Sequence, residues 1–108
     1  MKCTICGKEI DRVNEKYVRL QDNFCHLECW VTEEFKRGGF DKEAFGALAT
    51  AVDYLLSAKL LISEIISKRA EYGDSLSGYA EAIEYKAAQL VDFILKNVLR
   101  RDLKNSRI

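Results

Sequence analysis

The sequence predicts a mainly α-helical protein in two parts: a small N-terminal finger of two short strands and a short helix, then a long antiparallel α-hairpin. Three observations predict it. All four cysteines and the only histidine fall within the first thirty residues. Two long stretches further on repeat apolar residues at three- and four-residue steps, the period of one helix face. Glycines punctuate the chain at 38–39 and again at 73–78, where helices are expected to stop.

With 108 residues the chain suffices for one domain. The expected division is a finger over residues 1–39 and a helical hairpin over residues 40–108, joined in one folding unit. Apolar residues make up 48% and charged residues 31%, the balance of a chain that folds and stays in solution. Seventeen basic residues match seventeen acidic ones. That argues against a protein that coats DNA, because such affinity comes from neutralising phosphates. The start, MKCTIC, lacks the apolar core of a secretory signal. The most apolar run, Val52 to Ile66, is interrupted by Asp53, Lys59 and Glu64 and reads as a helix of a soluble protein, not a membrane span. A cytoplasmic location is therefore expected. Thiols stay reduced there, and clustered cysteines more often hold a metal than form disulfides. The absence of proline and the scarcity of glutamine, with the dense charge, lean towards a heat-adapted source.

The elements follow in order. Tyr17 to Leu20 alternates as a short strand, and Gln21-Asp22-Asn23 is a turn signal. Two short strands are marginal alone, so something else must complete this part. Leu27 to Arg37 has a helical pattern, stopped by Gly38-Gly39. Asp41 is a good N-cap for the next helix, and Phe40 and Phe45 sit at the two places where a hydrophobic staple packs. That helix is expected over Lys42 to Tyr72, with Phe45, Leu48, Val52, Leu55, Ile62 and Ile66 on its apolar stripe. Gly46 inside it costs roughly 1 kcal/mol against alanine and leaves room for a close neighbour. The stretch from Tyr72 to Gly78 is expected to be the turn, with Gly73 ending one helix and Ser75 or Ser77 capping the next. The second long helix is expected from Gly78 or Tyr79 to Leu103. Lys59 or Arg69 is expected to pair with Glu81 or Glu84 across the hairpin. Both helices carry apolar faces wider than one partner helix covers. The excess is expected to pack on the finger, on a second copy of the chain, or on both, giving a homodimer through the long helices.

Cys3-Thr-Ile-Cys6 followed by Gly7 is a strong metal signal, because a tight turn puts two sulfurs on one ion and the backbone bends sharply after the second. A second cluster, Cys25, His26 and Cys29, closes the site. Zinc, which prefers four tetrahedral thiolate and imidazole ligands, is the expected ion. Five donors compete for four places. Cys3, Cys6, His26 and Cys29 form the preferred set. Cys25 is the alternative to His26, since Cys25 and Cys29 also share a helix face at i, i+4. If His26 binds, Cys25 becomes a spare thiol beside a cation and is expected to be oxidisable.

Two resemblances bear on this choice. CTICGKEI, YVRL and FCHLEC look like the zinc motif of certain ribosomal and metal-sensing treble-clef proteins, and that likeness implies Cys25 and Cys29. The whole chain resembles an uncharacterised archaeal family of small proteins that join a CxxCG knuckle and an HxEC motif to two long helices. HLECW and the stretch Asp41 to Leu56 carry that likeness. It implies a treble-clef-like finger in which His26 is a ligand, as does a similarity to the first half of a LIM module. No reaction is implied.

Catalysis is not expected. A catalytic zinc keeps an open position, and here the donors more than fill four places. Trp30 is expected to pack beneath the metal loop. The finger's Lys8, Arg12, Lys16 and Arg19 are offset by Glu9, Asp11, Glu15 and Asp22. The tail carries Lys96, Arg100, Arg101, Lys104 and Arg107 against Asp102, suited to a helix C-terminus. The expected function is that of a non-enzymatic adaptor or protein-interaction module with structural zinc. A nucleic-acid- or ribosome-associated factor is the alternative.

Overall fold

The chain order in the computed structural model, which describes residues 1–100, is strand, strand and helix, followed by a long helical hairpin. Strands β1 (Tyr17–Leu20) and β2 (Asn23–His26) pair antiparallel, with Tyr17 opposite His26 and Val18 opposite Cys25. The reversal at 21–22 places Gln21 at φ 60°. Ahead of the strands, Lys2 bridges to Glu9 and closes a smaller loop around the first two cysteines. Helix α1 (Leu27–Arg37) follows β2 without a gap. It ends where expected, because Gly38 and Gly39 take φ 64° and 81°, a region costly for residues with a Cβ.

Helix α2 (Lys42–Lys68) begins as the sequence indicates. The Asp41 carboxylate accepts from the Ala44 N–H at 3.1 Å, and the Phe40 and Phe45 rings meet at 5.1 Å. Phe45 is fully buried and is the centre of an aromatic cluster. Trp30 meets it edge-on at 5.5 Å and Phe35 at 5.1 Å. A Cβ on Gly46 would find Phe35 at 3.7 Å, an ordinary contact, so the glycine is not demanded by close packing.

The far end of the hairpin differs from expectation. α2 stops at Lys68, four residues early, and Arg69 leaves the helical region at φ −134°. One 3-10 turn, Ala70–Tyr72, makes the reversal. Helix α3 (Gly73–Phe93) then starts five residues earlier than Gly78. Gly73 has φ −56° and opens a helix instead of closing one, while Ser75 and Ser77 lie inside α3 and cap nothing. Tertiary packing overrides the weak propensity of Asp74-Ser-Leu-Ser-Gly. Gly73 sits against Ile66, and Leu76 and Ala80 are half-buried. The cross-hairpin ion pair is Lys59 with Glu84, at 3.0 Å, and not one made by Arg69, which donates to the Lys68 carbonyl. At its other end the chain widens from α to π geometry over Ile94–Leu99 and stops at Arg100, at φ 55°. The expected continuation to Leu103, and the charges of Arg101, Asp102, Lys104 and Arg107, lie outside the described residues.

The finger packs against the open end of the hairpin. One hydrophobic core joins Ile10, Val18, Leu27 and Trp30 of the finger to Phe45, Ala49, Val52 and Leu56 of α2 and to Ala87, Val91, Ile94 and Leu99. Lys16 adds a polar tie, pairing with Asp53 and donating to Ser57 Oγ at 3.1 Å. The Lys59 ammonium lies 5.8 Å over the Tyr17 ring. The molecule is elongated, 52 × 26 × 22 Å. By length and composition alone α2 would be long and apolar enough to cross a membrane, although its first half is built into this core.

Candidate metal centre

Cys3, Cys6, His26 and Cys29 bring one donor atom each to a single point, all within 4.8 Å of one another. Local folding explains each placement. Cys3 and Cys6 lie in a knuckle whose backbone turns back through Gly7 at φ 78°, with the Gly7 N–H donating to the Cys3 carbonyl. His26 is the last residue of β2, and Cys29 lies in the first turn of α1. The knuckle is tied to the hairpin by the Thr4 N–H donating to the Phe24 carbonyl at 3.0 Å.

His26 Nδ1 stands 3.4 Å from Cys6 Sγ and 3.8 Å from Cys29 Sγ. Bond lengths of about 2.3 Å to sulfur and about 2.0–2.1 Å to nitrogen give tetrahedron edges of roughly 3.6–3.8 Å. These two separations are close to what a tetrahedral site needs, and the whole set lies within 4.8 Å. Three thiolates and an imidazole are a donor set typical of zinc. The other ring nitrogen, Nε2, lies 3.2 Å from Glu15 Oε1. This leaves Nδ1 for the ion and Nε2–H for the carboxylate, the arrangement that fixes a ligating histidine's tautomer and orientation.

Backbone donors surround the sulfurs. The N–H groups of Cys6 and His26 each approach Cys3 Sγ at 3.4 Å, and Lys8 N–H approaches Cys6 Sγ at 3.5 Å. Burial pushes the Cys3 thiol up, but N–H groups from Cys6, His26 and Ile5 outweigh it and bring the thiol down to about 6. Cys29 goes the other way. Burial, then the neighbouring Cys3 and Cys6 sulfurs, push its thiol up to about 12. Burial opposes charge on His26, yet hydrogen bonds to Cys3, Cys6 and Glu15 raise the imidazole above its ordinary value. Without a cation, three sulfurs this close cannot all shed their protons. A dication removes the conflict.

Cys25 is outside the group. The i, i+4 argument for it assumed a helix already formed at residue 25, but helix α1 starts at Leu27. Residues 25 and 26 belong to a strand, and strands point successive side chains to opposite faces. Cys25 faces the core opposite Val18, and the metal face falls to His26. The spare thiol is not an exposed redox group either. It is 1% exposed, its Sγ lies 3.1 Å from the Thr4 hydroxyl, and burial raises its pKa. Inert buried cysteines are of this kind.

Glu15, which counts in the sequence only as surface charge, meets His26 at the candidate site. Asp11 accepts from the Val13 and Asn14 N–H groups, while the Asp11 N–H donates to Glu15 Oε1 at 2.7 Å. This reciprocal turn aims Glu15 at His26. The Asp11-x-x-x-Glu15 spacing resembles a capping box stretched by one residue, and that was its available signal. Trp30 lies in the core as expected, 1% exposed, and its Nε1 finds no partner among the described residues.

No protein family, no curated protein and no solved structure matches the chain.

Proposed function

We infer that the chain is a non-enzymatic protein-interaction module in which zinc is a structural fastener. The observation that carries this reading is the closed donor set: four protein ligand atoms converge within 4.8 Å, and a catalytic zinc would keep one place for water or substrate. His26-Leu27-Glu28 has the H-x-E spacing of zinc deaminases, but those use three protein ligands and a Pro-Cys-x-x-Cys partner. Here Cys29 supplies a fourth donor, and the sequence contains no proline. Zinc would lock the knuckle, the strand pair and α1 into one unit, which the shared core then seats at the base of the hairpin. The rest of the hairpin extends beyond the finger and offers its surface to a partner. Reduced ligand thiols suit a cytoplasmic location.

Several of the described cations are already held by acids of the same chain. Lys16, Lys59, Lys68 and Lys96 each face an acid, namely Asp53, Glu84, Glu64 and Asp92. Metal analysis of the purified protein with its Cys25→Ser and His26→Ala variants tests the inference. One zinc per chain, kept in Cys25→Ser and lost or greatly weakened in His26→Ala, is the expected result. Zinc lost from Cys25→Ser but kept in His26→Ala would sink the ligand assignment. Tight RNA or duplex-DNA binding with a steep salt dependence would overturn the functional reading.

A further inference from the structure

α2 is apolar on two opposite faces. One face carries Phe45, Ala49, Val52 and Leu56 into the core. The opposite face carries Ala47, Ala51, Tyr54, Ala58, Leu61 and Ile65, at alternating steps of four and three residues. That is the spacing of a coiled-coil seam sustained over six positions. Ala47, Tyr54, Leu61 and Ile65 are exposed and Ala51 and Ala58 half-buried. Tyr54 is 70% exposed, Leu61 64% and Ile65 44%.

The order of residues along this seam points to its occupant. Take a second α2 antiparallel to the first, with the two-fold axis passing between Tyr54 and Ala58. Ala47 then faces Ile65 of the second copy, Ala51 faces Leu61, and Tyr54 faces Ala58. Every layer pairs one large residue with one alanine, as close packing of facing helices requires. A parallel alignment would instead set Tyr54 on Tyr54 and Ala58 on Ala58, leaving alternate clashes and gaps. The antiparallel arrangement also sets the two helix dipoles in opposition. The remaining positions on one flank are Thr50, Ser57 and Glu64, so little like charge opposes the pairing.

We propose that this outer face of α2 is a homodimer seam, closed by α2 of a second copy in antiparallel register around the Tyr54–Ala58 layer. The inference rests on reading the hairpin as an interaction surface and names the partner. Each copy's α2 is then enclosed between its own α3 and the other α2. A two-fold interface uses the same patch on both chains, so the self-matching order of large and small residues is what it needs.

Sedimentation equilibrium on the full, metal-loaded chain tests it, with zinc content measured on the same samples. The wild type is expected to be a dimer. Leu61→Asp is expected to weaken dimerisation at least about 30-fold, the effect of losing a buried anchor, with zinc content and helicity kept. Adding Ala51→Lys to Leu61→Asp restores the dimer, because the two changed positions face each other across the axis. Adding Ala47→Lys instead does not. A monomeric wild type, a dimer insensitive to Leu61→Asp, or equal rescue by either lysine overturns the proposal. So does flotation of the wild type with phosphatidylcholine–phosphatidylglycerol vesicles, which would give the seam to a membrane. Loss of zinc with an intact dimer would count against the metal reading alone.

Discussion

The base and the tip of the helical hairpin use similar residues and are held in different ways. At the base, Phe45, Val52, Leu56, Ala87 and Val91 are buried because the finger supplies a third body. Towards the tip, residues 57–86 contain no buried side chain at all, although Leu60, Ile62, Ile66, Leu76 and Ile83 continue the same helical spacing. Two helices alone leave most of each apolar face wet. The contrast teaches that burial in this chain is set by what packs on the hairpin. The finger can act as that third body only if its own two short strands are completed, the role proposed above for a metal at the Cys3, Cys6, His26 and Cys29 site.

The largest expected effect breaks the comparison from the finger's side. Cys3→Ser, or a strong chelator on the wild type, removes the fastener, and structural zinc is worth about 10–16 kcal/mol in comparable small units. The finger and the hairpin base then lose order together. The only tryptophan, Trp30, reports this by a red-shifted emission as its core opens. Unchanged emission would separate the metal from the core. The same centre sets the acid behaviour. Burial and the neighbouring Cys3 and Cys6 sulfurs push the Cys29 thiol up to about 12, so that it would have to give up its proton for a metal to bind there. Metal binding at neutral pH therefore releases protons, and affinity falls as pH falls, because protonation of any ligand competes with the ion. A metal-binding titration in an indicator dye with no proton release would contradict that sign.

Next come paired core truncations, read by urea unfolding. Phe45→Ala at the base is expected to cost about 3–5 kcal/mol. Leu61→Ala, measured in the dissociated chain, is expected to stay within about 0.5 kcal/mol. Equal costs would mean that tip and base are equally packed within one chain.

A smaller change sharpens the finger's side. Glu15→Gln leaves His26 without its carboxylate and is expected to weaken metal affinity about 10–100-fold, the usual cost of losing a ligand's orienting partner. Competition with a chromophoric chelator measures it. No change would make the Glu15–His26 contact incidental. Smallest is Gly46→Ala, for which the structure leaves room beside Phe35. It is expected to stabilise the chain by about 0.5–1 kcal/mol; destabilisation would show that this junction of finger and hairpin tolerates no added methyl group.

Much of this was legible in the sequence, and the losses have physical reasons. The strand at Tyr17–Leu20, the helix Leu27–Arg37, its Gly-Gly stop, the Asp41 cap and the Phe40–Phe45 staple all follow from local chemistry, which a sequence displays directly. The preferred four ligands converge as expected. The reversal at residues 69–72 was misplaced because serine and glycine in 73–78 favour turns only when nothing else decides, and packing on α2 decided. Glu15 was read as surface charge because its partner, His26, is eleven residues away and meets it only in the folded finger. The choice between Cys25 and His26 turned on whether β2 or a helix contained them, a boundary shift of two residues.

That pair of adjacent donors has a consequence for how the finger finds its structure. An ion arriving before the strands have paired meets five donors, and it is satisfied by four sulfurs as readily as by three sulfurs and an imidazole. The ion alone therefore does not choose the register of β2. The choice falls to the side chains behind it: Val18 against Cys25 on the inner face, and the Asp11–Glu15 turn waiting for His26 on the outer. A slip by one residue would exchange those faces. The hydrophobic core and one carboxylate, rather than the donors themselves, would then hold the strand in the register that offers His26 to an ion.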